Sequence, residues 1–553
     1  MLTGLSWKWK RNECPYSNIF IFLGIFIVFL VLRLIVWKNT VLLEDTDSLF
    51  YLNNIKTFLT FNIKEILDLS PDSTPFYPFF GALFSLPGWS VETGARLTSL
   101  FFSSILFISI YGIGKRIASN TEISLALIIL SFSPILIPFS FSVLTEPSYV
   151  ATVYFGFWLF WKQHQSPKWW TAVILGMIFG LAFLNRVEGI LYIVFIPFFQ
   201  ISYYLWGKFI NRQSHFITRK YLTVWTLIYI ACFSLVVTPQ IWRVSHKMGT
   251  PAINGRQAWS LVLNNPDGRS YNEKIYGLDY SPGQLNMKYI QSHPETLNNF
   301  KTQTGIIDYI GTAVREFNKL YQKQIGILIG PLGLIFFGFG LLSLLETRRL
   351  FEVFLILSFI VLNLIAPLLH NVVMRHIVII APIMILIEGI GIYYFSDKLL
   401  NALQATNLGS AKITLSLISV CCLFAVSTPQ LWKACKPSHF NQEYSPAELS
   451  KPADIIVDIV KKELFRPPNI TARKGYLSHF TGGKQIYLPY TDYKGLVRYC
   501  ELNNVDFLYL KHRRVKKYPL LTNFLQKESH PDFTLLYNGV DAFGQKNELF
   551  RFH

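Results

Sequence analysis

The most prominent pattern in this sequence is a series of long apolar runs separated by short polar segments. The first run extends from about residue 19 to residue 37 and follows a basic N-terminal stretch. About 20 apolar residues in a helix are enough to cross the hydrocarbon core of a bilayer. Hydropathy predicts about eleven such spans within residues 1–430. We therefore expect a polytopic α-helical membrane protein.

The charges between the spans predict an orientation. Basic residues concentrate in the N-terminal stretch and in the loop that carries Lys208, Arg212 and Arg219, and cytoplasmic loops of membrane proteins are enriched in Lys and Arg. Residues 38–95 carry seven acidic residues against three lysines, as expected of an outer loop. The N-terminus is therefore expected in the cytoplasm, and residues 38–95 and 241–325 are expected to form two outer loops.

Within the first outer loop, a short apolar segment is interrupted before it could cross a membrane. It begins at Pro75 and is broken by Pro87 and Gly88. Such a segment is typical of a helix that lies along the membrane surface. We expect an interfacial helix here.

The last part of the chain, residues 431–553, loses the membrane pattern. Short β-prone runs at 470–472, 485–488, 507–510 and 533–537 alternate with helix-like segments at 453–463 and 493–501. This alternation predicts a small α/β domain. An odd number of spans before it would place the domain outside the cytoplasm.

Composition agrees with a membrane protein and excludes several other classes. The chain is 51% hydrophobic and 15% charged, whereas soluble domains are about 25% charged. The net charge of +18 does not require nucleic acid, because cytoplasmic loops, anionic headgroups or an anionic substrate account for it. The six cysteines form no CxxC pair and no metal-ligand spacing, although Cys435 and Cys500 could pair.

Several ionisable residues are predicted to lie where spans meet the outer face. Ionisable groups at membrane depth are costly and tend to be paired or functional. A single arginine at a helix end is more simply an interfacial anchor, but a group with both signs at one face suggests a site. The group comprises Asp47, Glu146, Arg186, Glu188, Arg375 and His376.

Carboxylates and cations together suit the transfer of a sugar from a lipid phosphate. A carboxylate can take the proton from an acceptor hydroxyl while that oxygen attacks the anomeric carbon. Cations can stabilise the departing phosphate. The candidate base lies in the stretch Glu44-Asp45-Thr46-Asp47, whose carboxylates could equally serve only to cap a helix in water.

Several motifs resemble the bacterial branch of the dolichyl-phosphate-mannose protein mannosyltransferase family, which is related to the lipid A aminoarabinose transferases. The similar segments follow one another in the family's order and cover most of the chain. They are residues 46–51, 73–78 with 95–97, 142–147, 180–189, 375–376 with 381–382, and 472–490 with 505–508.

This resemblance implies the C-type glycosyltransferase fold and an inverting transfer from a polyprenyl-phosphate sugar. It implies that Asp47 is the general base and that Arg186 and Arg375 contact the phosphate. It also implies substrate-binding roles for four further residues, and it requires neither a cofactor nor a metal. These four are Glu146, Glu188, His376 and Tyr77.

Two departures from the family pattern leave alternatives open. Many members have Asp-Glu in the first loop, whereas Asp47 is followed by Ser48, so Asp45 or Glu44 could have taken the role of base. Where Arg-Pro-Glu is usual, this chain has Arg186-Val187-Glu188. The arginine and the glutamate are kept.

We therefore expect an integral-membrane glycosyltransferase at the outer face of a bacterial cytoplasmic (inner) membrane. Its expected partners are membrane lipids, a polyprenyl-phosphate sugar donor and an acceptor hydroxyl on a protein, lipid A, a glycolipid or a polysaccharide. The alternative is a transporter or lipid flippase, since intramembrane charges also line substrate pathways. A third possibility is a polysaccharide-assembly scaffold that keeps the fold without the chemistry.

Overall fold

The computed structural model describes most of the helical region and most of the C-terminal domain. The described residues are 15–39, 46–164, 167–209, 218–249, 251–255, 314–318, 320, 328–370, 374–403, 408–435, 446–512, 521, 524, 530–540 and 544–553. Glu44, Asp45 and most of the expected loop 241–325 lie outside them.

The predicted fold class is confirmed: a mostly helical protein with several apolar helices and a small C-terminal sheet domain. Five helices in the described part are long and apolar enough to cross a membrane, at residues 18–38, 91–117, 187–208, 219–248 and 375–402. Shorter apolar helices accompany them.

The first half of the helical region contains eleven named α-helices. They are α1 (Pro15–Asn39), α2 (Thr46–Leu59), α3 (Ile63–Leu67), α4 (Phe76–Ser85), α5 (Val91–Ile117), α6 (Asn120–Phe132), α7 (Leu136–Phe139), α8 (Glu146–Gln163), α9 (Trp169–Asn185), α10 (Tyr192–Phe209) and α11 (Arg219–Met248), with a 3₁₀ turn at Val187–Leu191.

The second half continues to the start of the C-terminal domain. Its helices are α12 (Gly330–Glu346), α13 (Leu350–His370), α14 (Met374–Ile377), α15 (Ala381–Ala402), α16 (Leu408–Cys435) and α17 (Pro446–Ile459). A 3₁₀ turn at Val378–Ile380 joins α14 to α15, and a π-helical turn at Val460–Leu464 follows α17.

Two helices end differently from the hydropathy pattern. Hydropathy predicts one of the eleven spans near residues 122–138, but α6 ends at Phe132, because Pro134 cannot donate a backbone hydrogen bond and restricts the residue before it. It predicts another near residues 222–240, but α11 continues to Met248, where Gly249 adopts φ +66° and ends it.

The C-terminal domain is a five-stranded mixed sheet. Its strands are β1 (Asn469–Ala472), β2 (Lys484–Tyr487), β3 (Phe507–Lys511), β4 (Phe533–Val540) and β5 (Lys546–Phe552), in the order β2-β1-β3-β5-β4. The first three strands are parallel, connected by α18 (Tyr476–Thr481) and α19 (Tyr493–Leu502), whereas β5 runs antiparallel to both neighbours.

The C-terminal domain shares a hydrophobic core with α2. Leu49, Leu52 and Ile55 of α2 belong to the same buried cluster as Ile456 and Leu477 of the domain. The domain is therefore packed directly on the helix whose first turn carries Asp47.

Candidate active site

Five of the predicted site residues form one chain of alternating charges. Arg375 Nη1 lies 2.6 Å from Asp47 Oδ2, and Arg375 Nε lies 4.0 Å from Glu146 Oε1. The same Glu146 oxygen lies 2.5 Å from Arg186 Nη1, and Arg186 Nη2 lies 2.8 Å from Glu188 Oε1. We call these five residues the ionic chain.

Helix ends hold the ionic chain at one end of the helical bundle. Asp47 lies in the first turn of α2 and Glu146 in the first turn of α8, while Arg186 directly follows α9. Arg375 lies in α14, shortly before α15 begins. Because helix termini carry unpaired backbone groups and fewer side-chain neighbours, they can present charged side chains to a common space.

The break between α9 and α10 sets the position of Arg186 and Glu188. Arg186 is extended (φ −148°, ψ 139°) although its N–H still donates to the Ala182 carbonyl at 2.9 Å. Glycine is required at Gly189, because a Cβ there would clash with the backbone of Phe183. This tight turn points the arginine and the glutamate toward Glu146.

Glu146 is the most deeply buried member of the ionic chain. Its side chain is 3% exposed, compared with 28% for Glu188. A buried carboxylate is tolerated when cations pair with it, and Arg186 and Arg375 provide that charge. Among the described residues, its second oxygen, Oε2, has no hydrogen-bond partner, so a ligand could occupy that position.

The four members of the ionic chain other than Asp47 line a cavity of about 380 Å³, a volume that includes its opening to solvent. Its walls include Glu146, Arg186, Glu188, Arg375 and His376, together with Tyr149 and Asn363. A second cavity of similar volume lies behind Glu146 and shares Val150 and Val378 with the first. His376 thus lies beside the predicted cationic residues.

Tyr77 takes a different place from the other predicted residues. It is fully buried, and its hydroxyl donates to the Ala95 carbonyl at 3.0 Å and lies 3.2 Å from Ser99 Oγ. Its ring meets Tyr51 edge-on at 5.7 Å. Tyr77 therefore lies in the protein interior, where it contacts α5 and Tyr51, and it is not a member of the ionic chain.

Several residues near the site were not predicted from the sequence: Tyr149 and Asn363 of the cavity wall, and also Tyr487 and Arg33. Tyr487 ends β2 on the side of the sheet that packs on α2; burial and the charge of Asp47 raise the pKa of its phenol. Its only signal was its place in a segment that resembles the family. Arg33 lies buried in α1 and lines the cavity behind Glu146, and its signal was a charge within an apolar span.

Among the described residues, no group of three or more His, Cys, Asp and Glu side chains could hold a metal ion. Cys500 is a free, buried thiol of α19, and burial raises its pKa to about 12.

Comparison with known families places this arrangement in context. Residues 72–242 match the family described as dolichyl-phosphate-mannose-protein mannosyltransferase. The match includes Tyr77, Glu146, Arg186 and Glu188, and it covers less than half of the chain. No curated protein sequence matches.

Solved structures show the same fold over nearly the whole chain. The apo oligosaccharyltransferase of Archaeoglobus fulgidus is 12% identical with a TM-score of 0.55, covering 98% of this chain and 75% of that protein. AglB from the same organism, in complex with an inhibitory peptide and a dolichol-phosphate, is 12% identical with a TM-score of 0.56 and coverages of 96% and 74%. ArnT from Cupriavidus metallidurans, bound to undecaprenyl phosphate, is 11% identical with a TM-score of 0.52 and coverages of 97% and 98%.

Proposed function

We propose that this multi-pass membrane protein, which has the C-type glycosyltransferase fold and resembles the dolichyl-phosphate-mannose protein mannosyltransferases, transfers a monosaccharide from a polyprenyl-phosphate donor to an acceptor hydroxyl. Transfer inverts the anomeric centre. The acceptor belongs to a protein, lipid A, a glycolipid or a polysaccharide.

The observation that carries this proposal is the position of Arg375 between Asp47 and Glu146. Arg375 thereby contacts the Asp47 carboxylate, which can accept a proton, and also lines the cavity that Arg186 lines. Proton transfer and phosphate departure must occur on opposite sides of one sugar carbon, and such a site can serve both.

The reaction is a single displacement. The acceptor oxygen forms a bond to the anomeric carbon while the bond from that carbon to the phosphate oxygen breaks. The acceptor proton passes to the Asp47 carboxylate, which acts as general base. The electron pair of the broken bond leaves with the polyprenyl phosphate, whose charge is stabilised by Arg375, Arg186 and His376.

Glu146 and Glu188 have a supporting role in this scheme. Each accepts from Arg186, and together they hold the guanidinium in a fixed direction before the donor binds. A preorganised cation costs little reorganisation during the reaction. Glu146 Oε2 remains able to accept a hydrogen bond from a sugar hydroxyl.

The donor is proposed from two independent grounds. A pair of arginines beside a cavity suits a phosphate group, since guanidinium binds phosphate in a bidentate geometry. Similar folds have been solved with dolichol-phosphate and with undecaprenyl phosphate. We place the site at the outer face of a bacterial inner membrane, with a cytoplasmic N-terminus, on the basis of the loop charges.

The test is turnover by the purified full-length protein. We expect release of undecaprenyl phosphate from one of a panel of undecaprenyl-phosphate sugars when an envelope extract is supplied as acceptor. Asp47→Asn should reduce this release by about 10²-fold or more while undecaprenyl phosphate still binds. The matched control is Asp68→Asn, which alters a largely exposed carboxylate of the same loop and should leave turnover unchanged.

Three outcomes would contradict the proposal. Turnover by Asp47→Asn at the wild-type rate would remove the base. Movement of donor lipid across vesicle membranes without a covalent sugar product would favour a flippase. Donor binding without turnover on any acceptor would favour a scaffold.

A further inference from the structure

Arg33 is a buried arginine of α1 that donates to three backbone carbonyls and to one side-chain hydroxyl. It is 1% exposed. Its Nη1 donates to the carbonyls of Ser131 at 2.9 Å and Phe29 at 3.2 Å, and its Nη2 lies 3.4 Å from the carbonyl of Leu130. Its Nε donates to Ser140 Oγ at 2.9 Å.

The early end of α6 explains why the carbonyls of Leu130 and Ser131 accept from Arg33. In a continuing helix the Leu130 carbonyl would accept from the residue four positions later, which is Pro134 and has no N–H. Carbonyls left over at a helix end must be satisfied, and a buried one that is not costs about 1–3 kcal/mol. Arg33 donates to this end of α6 and, through Ser140, to the residue after α7.

Residues 133–145, which we call the connector, join α6 to α8. Glu146 is the first residue of α8 and directly follows the connector. Arg33 holds one side of the connector through Ser140. The other side is held by Ser99, whose hydroxyl donates to the Ser142 carbonyl at 2.6 Å, and by Tyr51, whose hydroxyl lies 3.4 Å from Thr145 Oγ1. The Tyr77 hydroxyl lies 3.5 Å from the same Ser142 carbonyl oxygen.

The connector leads directly to the ionic chain. Thr145 immediately precedes Glu146, and Glu146 contacts both arginines. A shift of the connector would therefore move a carboxylate that fixes two cations. Displacements of about 1 Å at a catalytic centre can reduce rates by about 10²-fold.

We propose that Arg33 is a positioning residue for sugar transfer: it fixes the connector so that Glu146 holds Arg186 and Arg375 in the geometry that the reaction requires. This inference rests on the proposed function. Arg33 acts through the connector and Glu146.

The test compares three variants of the full-length protein in nanodiscs. Arg33→Met removes every donor, and we expect kcat to fall at least about tenfold while the KM for the lipid-phosphate donor changes much less. Arg33→Lys keeps the positive charge but lacks the planar guanidinium with its several N–H donors, and it should recover part of kcat. Ser140→Ala removes the hydroxyl that accepts from Arg33 Nε, and should also lower kcat.

Hydrogen exchange provides a readout that does not depend on turnover. We expect the backbone amides of residues 140–146 to exchange faster in Arg33→Met than in the wild type. The matched control is Ser131→Ala, a neighbouring buried residue whose hydroxyl bonds within its own helix to Leu127. This control should leave both kcat and exchange unchanged.

The proposal would be overturned if Arg33→Met folded with wild-type kcat, or if amide exchange in residues 140–146 did not change. If Arg33→Met did not fold, wild-type kcat and exchange in Ser140→Ala would overturn it. Failure of the proposed function looks different, because the wild type itself would then release no lipid phosphate from any donor while the exchange result still reported on the connector.

Discussion

Arg375 Nη1 lies 2.6 Å from Asp47 Oδ2, although 328 positions separate the two residues in the chain. The pair joins the first turn of α2 to the short helix α14. Asp47 therefore has its orientation set by a residue from the other half of the chain. The segment around Asp47 alone therefore does not fix the position of this carboxylate.

A first prediction concerns the coupling between these two residues. We expect Asp47→Asn and Arg375→Gln each to reduce kcat by about 10²-fold or more, because one removes the base and the other removes a cation at the leaving phosphate. The double variant should be little slower than the slower single variant, since groups that act as a unit are strongly non-additive. Initial rates of undecaprenyl phosphate release from the four proteins measure this coupling.

Binding separates the two roles. Arg375→Gln should weaken binding of undecaprenyl phosphate, whereas Asp47→Asn should bind it nearly as well as the wild type. Losses of kcat that multiply fully in the double variant would show that the two residues act independently.

A second prediction distinguishes the two glutamates that contact Arg186. Glu146 is almost fully buried and Glu188 is partly exposed. Removing one partner of a buried ion pair typically costs about 3–5 kcal/mol, while exposed pairs contribute about 0–1 kcal/mol. We expect Glu146→Gln to lower the unfolding temperature clearly more than Glu188→Gln, as followed by thermal unfolding in the same detergent. An equal decrease of the unfolding temperature in the two variants would contradict the deeper burial of Glu146.

The sequence was sufficient to bring most of the site together. Asp47, Glu146, Arg186, Glu188 and Arg375 all lie next to helix boundaries, which hydropathy locates approximately because apolar runs must match the thickness of a bilayer. A set of charges at predicted boundaries on one face therefore predicts proximity. The roles of these residues stay predictions until turnover is measured.

Other features depend on contacts that no local pattern reports. Tyr77 belongs to a motif, but its burial against Ala95 and Ser99 follows from how α4 packs on α5. Strand β5 was missed because its buried residues include Asn547 and Glu548, which are polar. Pro134 predicts the early end of α6. The hydrogen bonds from Arg33 to that end depend on how α1 packs against α6, which no local sequence pattern reports.

A third prediction concerns the clamp between α11 and the first loop. Arg243 is largely buried and donates to the carbonyls of Leu69 and Ser73, both at 2.8 Å. Arg243→Met removes this donor, while Gln240 Nε2 still donates to the Ser73 carbonyl and Lys247 Nζ to the Leu69 carbonyl. The cost is therefore that of the lost hydrogen bonds, about 0.5–1.5 kcal/mol each. We expect faster amide exchange in residues 68–75 and a lower unfolding temperature.

The neighbouring Lys247 offers a matched comparison for this clamp. It pairs with Asp68, which is 85% exposed, at 2.9 Å, and exposed pairs contribute little. It also donates to the Leu69 carbonyl at 2.9 Å, but that carbonyl still accepts from Arg243 when Lys247 is replaced. Lys247→Met should therefore change exchange and unfolding temperature much less than Arg243→Met. Equal effects of the two variants would argue against the clamp.

The last prediction is a pH dependence of the contact between the C-terminal domain and α2. His479 lies in α18, and burial together with the nearby charge of Lys56 lowers its pKa below its ordinary value of 6.5. The folded protein then binds a proton at His479 less readily than the unfolded chain does. Stability contributed by neutral His479 is present above pH 6.5 and is lost as the pH falls from there toward the lowered pKa.

We expect the unfolding temperature of the wild type to decrease as the pH falls below 6.5, and His479→Gln to reduce that decrease, because glutamine does not titrate in this range. Lys56→Gln should reduce it partly, since it removes one of the two causes of the lowered pKa. Lys64→Gln, a substitution of another exposed lysine of the same loop, serves as the matched control and should behave like the wild type. An unchanged pH dependence in His479→Gln would show that the domain's contact with α2 is insensitive to this histidine.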